Sequence, residues 1–217
     1  MENHWSQISF RDFRNRQWAW SKSDFHEFKH LTVKEPDVPK QILGLFDNIQ
    51  TVVQAGGAHG FYVDQYAQYV DRVYTFEPSP VQFTCLKYNT ARCDNVVAYN
   101  AALGNKTDDI PLRVIGHNTG ASYVFTKTER FYRTAVMVKQ IRLDSLELAP
   151  DLIHLDIEGY EPYALEGALE TINKYLPHIV VERGLDGDMT KEVLAHLGYE
   201  MKLNLRSDDV YTHRDRK

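Results

Sequence analysis

Three carboxylates crowd into six residues in the run Asp156-Ile157-Glu158-Gly159-Tyr160-Glu161. Like charges this close hinder one another's ionisation, which suits one of them to accept a proton near neutral pH. His154 stands two residues earlier and is a further candidate base. A second group lies upstream. Ala55-Gly56-Gly57-Ala58-His59-Gly60 gives the backbone freedom to turn tightly and to approach a ligand. Glu77-Pro78 comes 17 residues after Gly60, a spacing at which a carboxylate can accept hydrogen bonds from two ribose hydroxyls. Asn100-Ala101-Ala102 places a polar residue before small ones, a step that could admit the edge of an adenine. A glycine turn with an acid at this distance points to an adenosine-containing ligand.

Other chemistries are open at this level. His26-Glu27-Phe28-Lys29-His30 is a literal H-E-x-x-H, which on a helix would present two zinc-binding histidines and a base, as in a zinc hydrolase. No third ligand comes after it at a familiar spacing. Ala55-x-Gly57-x-x-Gly60 with Glu77 also loosely fits the dinucleotide fingerprint of an NAD(P)-type oxidoreductase. Gln54, an uncharged residue, leaves room for an adenosine-ligand binder without catalysis.

These residues need elements to position them, and the hydrophobic pattern supplies a consistent set. Strands are expected at Thr51 to Ala55, Arg72 to Phe76, Asn95 to Tyr99, Leu152 to Leu155 and His178 to Val181. Helices should lie between them: one from about Lys40 to Asn48, one carrying Tyr62, Tyr66 and Val70, and one capped by Ser79 with Pro80 at its first position. A further helix should open at Pro162 and present Ala164, Leu165, Ala168 and Ile172, and another should run from Asp188 to Gly198. Residues 109–115, 121–126 and 135–143 read as extended, an antiparallel excursion, and 199–205 and 209–213 as closing strands. Strand and helix in alternation predict an α/β, Rossmann-like, doubly wound, mostly parallel sheet with an antiparallel C-terminal strand. Ligands bind such sheets at the carboxyl ends of the strands, where the glycine turn and the acids fall. Residues 1–35 differ in character: they interleave aromatic and basic side chains and read as an N-terminal arm or lid on a domain of residues 36–217.

Composition narrows the class. With 30 acidic and 25 basic residues the formal net charge is −5, which speaks against a nucleic-acid footprint. No apolar run reaches the ~18 residues of a membrane span, and the N-terminus lacks a signal peptide's apolar centre. The expectation is a cytoplasmic protein with two reduced thiols, Cys85 and Cys93. No metal is expected, and the sequence leaves the oligomeric state open.

From about residue 51 to 205 the chain resembles the FkbM-type class I S-adenosylmethionine-dependent methyltransferases. The matching stretches are Val52 to Gly60, Phe76-Glu77-Pro78, Asn100 to Gly104, Leu143-Asp144-Ser145-Leu146, Ile153 to Glu161 and Leu165-Glu166-Gly167-Ala168. The resemblance implies that S-adenosyl-L-methionine is the cofactor. By it, Gln54, Gly56, Gly57, His59 and Gly60 hold the methionine part, Glu77 and Pro78 lie at the ribose, and Asn100 and Ala101 flank the adenine. Asp156 would line the methyl-transfer site, with Glu158 and His154 as further catalytic candidates. The family mostly methylates hydroxyl oxygens, which implies a small-molecule or glycan acceptor. Gln54 stands where the family usually has aspartate, His59 where it has asparagine, and His154 where it has lysine. Methyl transfer is an in-line displacement at carbon, so the protein's tasks are alignment, exclusion of water and removal of the hydroxyl proton.

Overall fold

Short apolar runs that end in glycine or an acid fold into strands, and the turns leaving those strand ends build the site. The computed structural model describes residues 4–24, 26–34, 36–124, 135–184 and 187–216. It opens with a hairpin, β1 (Ile8–Phe13) and β2 (Arg16–Ser21). The turn residues Arg14 and Asn15 both hold positive φ, 49° and 59°, as a two-residue hairpin turn matched to strand twist requires. Next come α1 (His26–Lys29), a π-helical turn over His30–Lys34, and α2 (Val38–Leu43).

The central elements are β3 (Thr51–Ala55), α3 (Phe61–Tyr66), β4 (Arg72–Phe76), α4 (Pro80–Asn89) and β5 (Val96–Tyr99). An excursion comes next: β6 (Ala102–Leu103), β7 (Asp108–Arg113), β8 (Tyr123–Val124) and β9 (Ala135–Ile141). The chain closes with β10 (Leu152–Leu155), α5 (Glu161–Glu166), α6 (Leu169–Tyr175), β11 (His178–Glu182), α7 (Gly187–His196), β12 (Tyr199–Leu205) and β13 (Asp208–His213). The main sheet has seven strands in the order β12-β13-β11-β10-β3-β4-β5. The strands from β11 to β5 pair in parallel, while β13 is antiparallel to both β11 and β12. The order reverses between β3 and β10, the switch point at which such sheets bind ligands.

Strand alternation divides the core. Val53, Ala55, Ile153, Leu155, Ile179 and Val181 face α5, α6 and α7, while Val52, Leu152 and Val180 face α2, α3 and the hairpin. Trp18 and Trp20 belong to the second face and are buried, so the aromatic N-terminal segment is packed structure. Asn89 holds it there: its amide exchanges hydrogen bonds with both the N–H and the C=O of Ala19, each at 2.8 Å.

Two helices differ from expectation. The helix predicted over 40–48 runs over Val38–Leu43, with Pro39 in its first turn, and stops at Gly44. The single helix predicted from Pro162 through Ile172 is two, α5 and α6. They part at Gly167-Ala168, where Asp144 caps the start of α6 by accepting from Glu170 N–H at 3.2 Å and Thr171 N–H at 2.9 Å. The excursion appears as a four-stranded sheet, β6-β9-β7-β8. Residues 125 and 126 of its expected middle segment lie outside the described residues.

Candidate active site

The carboxyl ends of β3 and β10 open into a cavity of about 570 Å³, within the ~300–1,000 Å³ of small-molecule sites. Its floor is the glycine turn after β3. Gly56 and Gly57 both donate to the Phe76 carbonyl at 3.0 Å, so the turn extends the pairing with β4. Side chains are impossible here. A Cβ on Gly56, whose φ is +84°, would lie 1.8 Å from the Asp156 carbonyl oxygen, and one on Gly57 would meet Leu86 at 2.5 Å and Thr75 at 2.6 Å.

Gln54 is buried beneath this turn and does not line the cavity. Its Oε1 accepts from the Thr75 hydroxyl at 2.8 Å, and its Nε2 donates to the Gly56 carbonyl at 2.8 Å. An aspartate would offer only acceptors to that carbonyl, so the amide is suited to a structural task that a carboxylate cannot perform.

Glu77 closes one side. One of its oxygens accepts from Ala58 N–H at 2.8 Å and the other from Ser79 N–H at 2.7 Å. Each keeps a further lone pair for a donor in the cavity. Burial pushes its pKa up to about 8 against those two hydrogen bonds. Pro78 lies beside it on the wall. Asn100 spends its amide on the carbonyls of Glu77 and Pro78, at 2.8 and 3.1 Å, and with Ala101 stays behind the lining.

Opposite stand the carboxylates. Asp156 comes directly after β10, and burial raises its pKa well above the ordinary range, helped by the close, hydrogen-bonding Glu182 and then by Asp208 and Glu158. Glu158 is at the rim, where partial desolvation and the charges of Glu182 and Glu161 bring it to about 7. Glu161 is buried, accepts from Ile157 N–H at 3.0 Å and is likewise raised to about 7, chiefly by desolvation. Strand ends other than β10's thus join the cluster: Glu182 ends β11 and Asp208 begins β13. The strand-end rule could have found Glu182, which directly follows the strand read from His178 to Val181 as Asp156 follows Leu155. Asp208 enters from an antiparallel strand, which that rule does not cover.

His154 is elsewhere. It shares the parity of Leu152, so it lies under the sheet, fully buried, with Nδ1 2.9 Å from the Tyr66 hydroxyl. Burial lowers its pKa to about 4, leaving it neutral, and it does not reach the cavity.

The third wall comes from the N-terminal segment and the 3-10 turn Thr119–Ala121. Asp24 caps α1 by accepting from His26 N–H at 3.1 Å and Glu27 N–H at 3.0 Å, and its other oxygen accepts from Thr119 N–H and from the Thr119 hydroxyl. Burial opposes the Asp24 carboxylate, but the hydrogen bonds with Glu27 and Thr119 outweigh it and hold its pKa low. Thr119 Oγ1 also lies 3.0 Å from Glu27, whose second oxygen is 3.3 Å from His59 Nδ1. His59 stacks on Trp20 at 3.9 Å and accepts from Ser21 N–H at Nε2, which places its proton on Nδ1, toward Glu27.

Asp24, Glu27 and His59 are close enough to suggest a metal centre. A metal on Nδ1 would move the imidazole proton to Nε2, against the Ser21 N–H. The cluster is instead a closed hydrogen-bond network that ties the hairpin, α1 and the 119–121 turn together. It also engages the Glu27 of the H-E-x-x-H segment through Thr119 and His59. Gly60 has φ +83° and starts α3 behind the floor, and neither it nor His59 lines the cavity. Of the predicted residues, Gly56, Gly57, Glu77, Pro78, Asp156 and Glu158 are brought together around one space. Gln82, Thr119 and Tyr160 join them without having been singled out from sequence.

Comparison with known proteins gives this architecture relatives. Residues 54–202 match the model of the methyltransferase FkbM domain. The solved methyltransferase FkbM from Methylobacillus flagellatus KT is similar with a TM-score of 0.58 and 19% identity, over 79% of this chain and 46% of that one. This chain therefore spans about half of that protein, 46% of its length. A ribosomal protein L11 methylase from Lactobacillus delbrueckii subsp. bulgaricus is similar with a TM-score of 0.50 and 13% identity, over 82% and 79% of the two chains. At such identities the likeness is one of fold. No curated protein matches the sequence.

Proposed function

Since the chain belongs to the FkbM methyltransferase family, whose enzymes depend on S-adenosylmethionine, we propose that it methylates a hydroxyl oxygen of a sugar or other small metabolite. One observation carries the reading: the glycine turn, Glu77 and Asp156 converge on a single cavity at the switch point of the sheet. The residues fit the cofactor. The floor is bare backbone at Gly56 and Gly57, where an added Cβ would clash with the Asp156 carbonyl or with Leu86 and Thr75, and Glu77 retains acceptor capacity for two ribose hydroxyls. S-adenosylmethionine supplies a methyl group made electrophilic by its sulfonium.

The rest falls to the chain. Gly56 and Gly57 let backbone approach the bound group, and Glu77 orients it. Asp156, raised by burial and by its carboxylate neighbours, takes the proton of the acceptor hydroxyl. Glu158 shapes the rim and orients the loop after β10. The wall built on Asp24, Glu27 and Thr119 excludes water. The chain acts in the cytoplasm on a diffusible acceptor, in keeping with its net charge of −5. Among the described residues no helix is long and apolar enough to cross a membrane. Isothermal titration tests the reading: S-adenosylhomocysteine should bind and NAD should not, and tighter binding of NAD would overturn it.

A further inference from the structure

The cavity has two electrical sides. Its floor and one wall are acidic, through Asp156, Glu158, Glu182 and Asp208. The facing wall, on α1 and the π-helical turn, presents Lys29, His30 and Lys34. Lys29 ends α1 and Lys34 ends the wider π-helical turn that follows it, and both line the cavity. Val33, 67% exposed, is left outside.

The segment is anchored from behind. The Phe28 ring packs edge-on against Trp20 at 5.0 Å, the Thr32 hydroxyl donates to the Phe28 carbonyl at 2.7 Å, and Arg206 donates to the Lys34 carbonyl. Two ammonium groups are thus carried on a fixed wall of a carboxylate-rich cavity. Yet among the described residues neither Lys29 nor Lys34 pairs with a carboxylate.

We propose that the acceptor carries an anionic group, a phosphate or a carboxylate, which Lys29 and Lys34 bind while the hydroxyl to be methylated lies toward Asp156. This rests on the methyltransferase reading and adds the substrate class to it. The two sides of the cavity then have separate tasks. The basic wall gives affinity and orientation by charge-assisted hydrogen bonds, and the acidic wall handles the proton. Basic residues at the mouth also steer an anion inward past a net negative surface.

The experiment is a calorimetric titration with glucose 6-phosphate, glucuronate and glucose as probes, run with and without saturating S-adenosylhomocysteine. One of the two anionic sugars should bind about tenfold or more tightly than glucose, and which one it is separates phosphate from carboxylate. That preference should shrink with added salt and vanish in the Lys29→Ala/Lys34→Ala double variant, whose affinity for S-adenosylhomocysteine should stay within about twofold of the parent. Equal binding of the three sugars, binding of none, or a preference that survives in the double variant would overturn the proposal. Failure of S-adenosylhomocysteine to bind would instead count against the methyltransferase reading, and the titration without it still reads the lysines.

Discussion

On the proposed function Asp156 and Glu77 have separate tasks, base and ribose acceptor, and their variants should fail differently. A base acts on the acceptor in the transition state, so Asp156→Asn should lower kcat by about 10²–10⁴-fold while the Kd for S-adenosylhomocysteine moves little. Glu158→Gln should cost less, and single-turnover kinetics on the two variants will show the order. Glu77→Ala should cost about 1.5–3 kcal/mol of cofactor binding, measured by calorimetry. Glu77 also predicts a pH dependence. Its carboxyl holds a proton up to about pH 8 when the cavity is empty, whereas ribose hydroxyls donate best to the ionised form. Cofactor binding should therefore tighten as pH rises through that region with release of a proton, and Glu77→Gln should flatten the curve.

Among the elements, the 119–121 turn and α1 depend on one hydroxyl. Thr119→Val removes the donor shared by the Asp24 and Glu27 carboxylates and leaves both short of a partner in a buried place. The change should destabilise the protein by about 1–3 kcal/mol, seen in denaturant melts, and should speed hydrogen exchange across residues 22–34 more than across β3 or β10. How far such elements could be read in advance depended on their pattern. β3, β4, β10 and β11 were legible because apolar runs bounded by glycine or acid leave few alternatives, and Glu77 and Asp156 came with them. The division of α5 from α6 was not legible, since the cap that starts α6 comes from Asp144, far away in the chain. The N-terminal segment has aromatic content but no clean period, so it could be read as an arm or lid while its hairpin was hidden. His154 was legible in principle: alternation along β10 puts it on the face of Leu152, away from the site.

Over the whole molecule, the collected carboxylates set how stability responds to pH. Folding raises Glu77 from 4.5 to about 8, and Glu158 and Glu161 from 4.5 to about 7. Between those limits the folded chain binds more protons than the unfolded one, so stability is greatest below about pH 4.5 as far as these groups are concerned and falls as pH rises to about 8. Thermal melts of the ligand-free protein should show this decline between those values, and Glu77→Gln should remove part of it. The aromatic N-terminal segment has a consequence of another kind. All 3 tryptophans of the chain, Trp5, Trp18 and Trp20, lie within it. Intrinsic emission excited in the indole band therefore reports on the hairpin and its docking, and hardly at all on the sheet that carries Asp156 and Glu182. Trp20, stacked on His59 at 3.9 Å, is the sensitive one, because its neighbour hydrogen-bonds into the wall of the cavity. The molecule thus carries a native optical probe of whether that wall is intact, readable in a cuvette without any label.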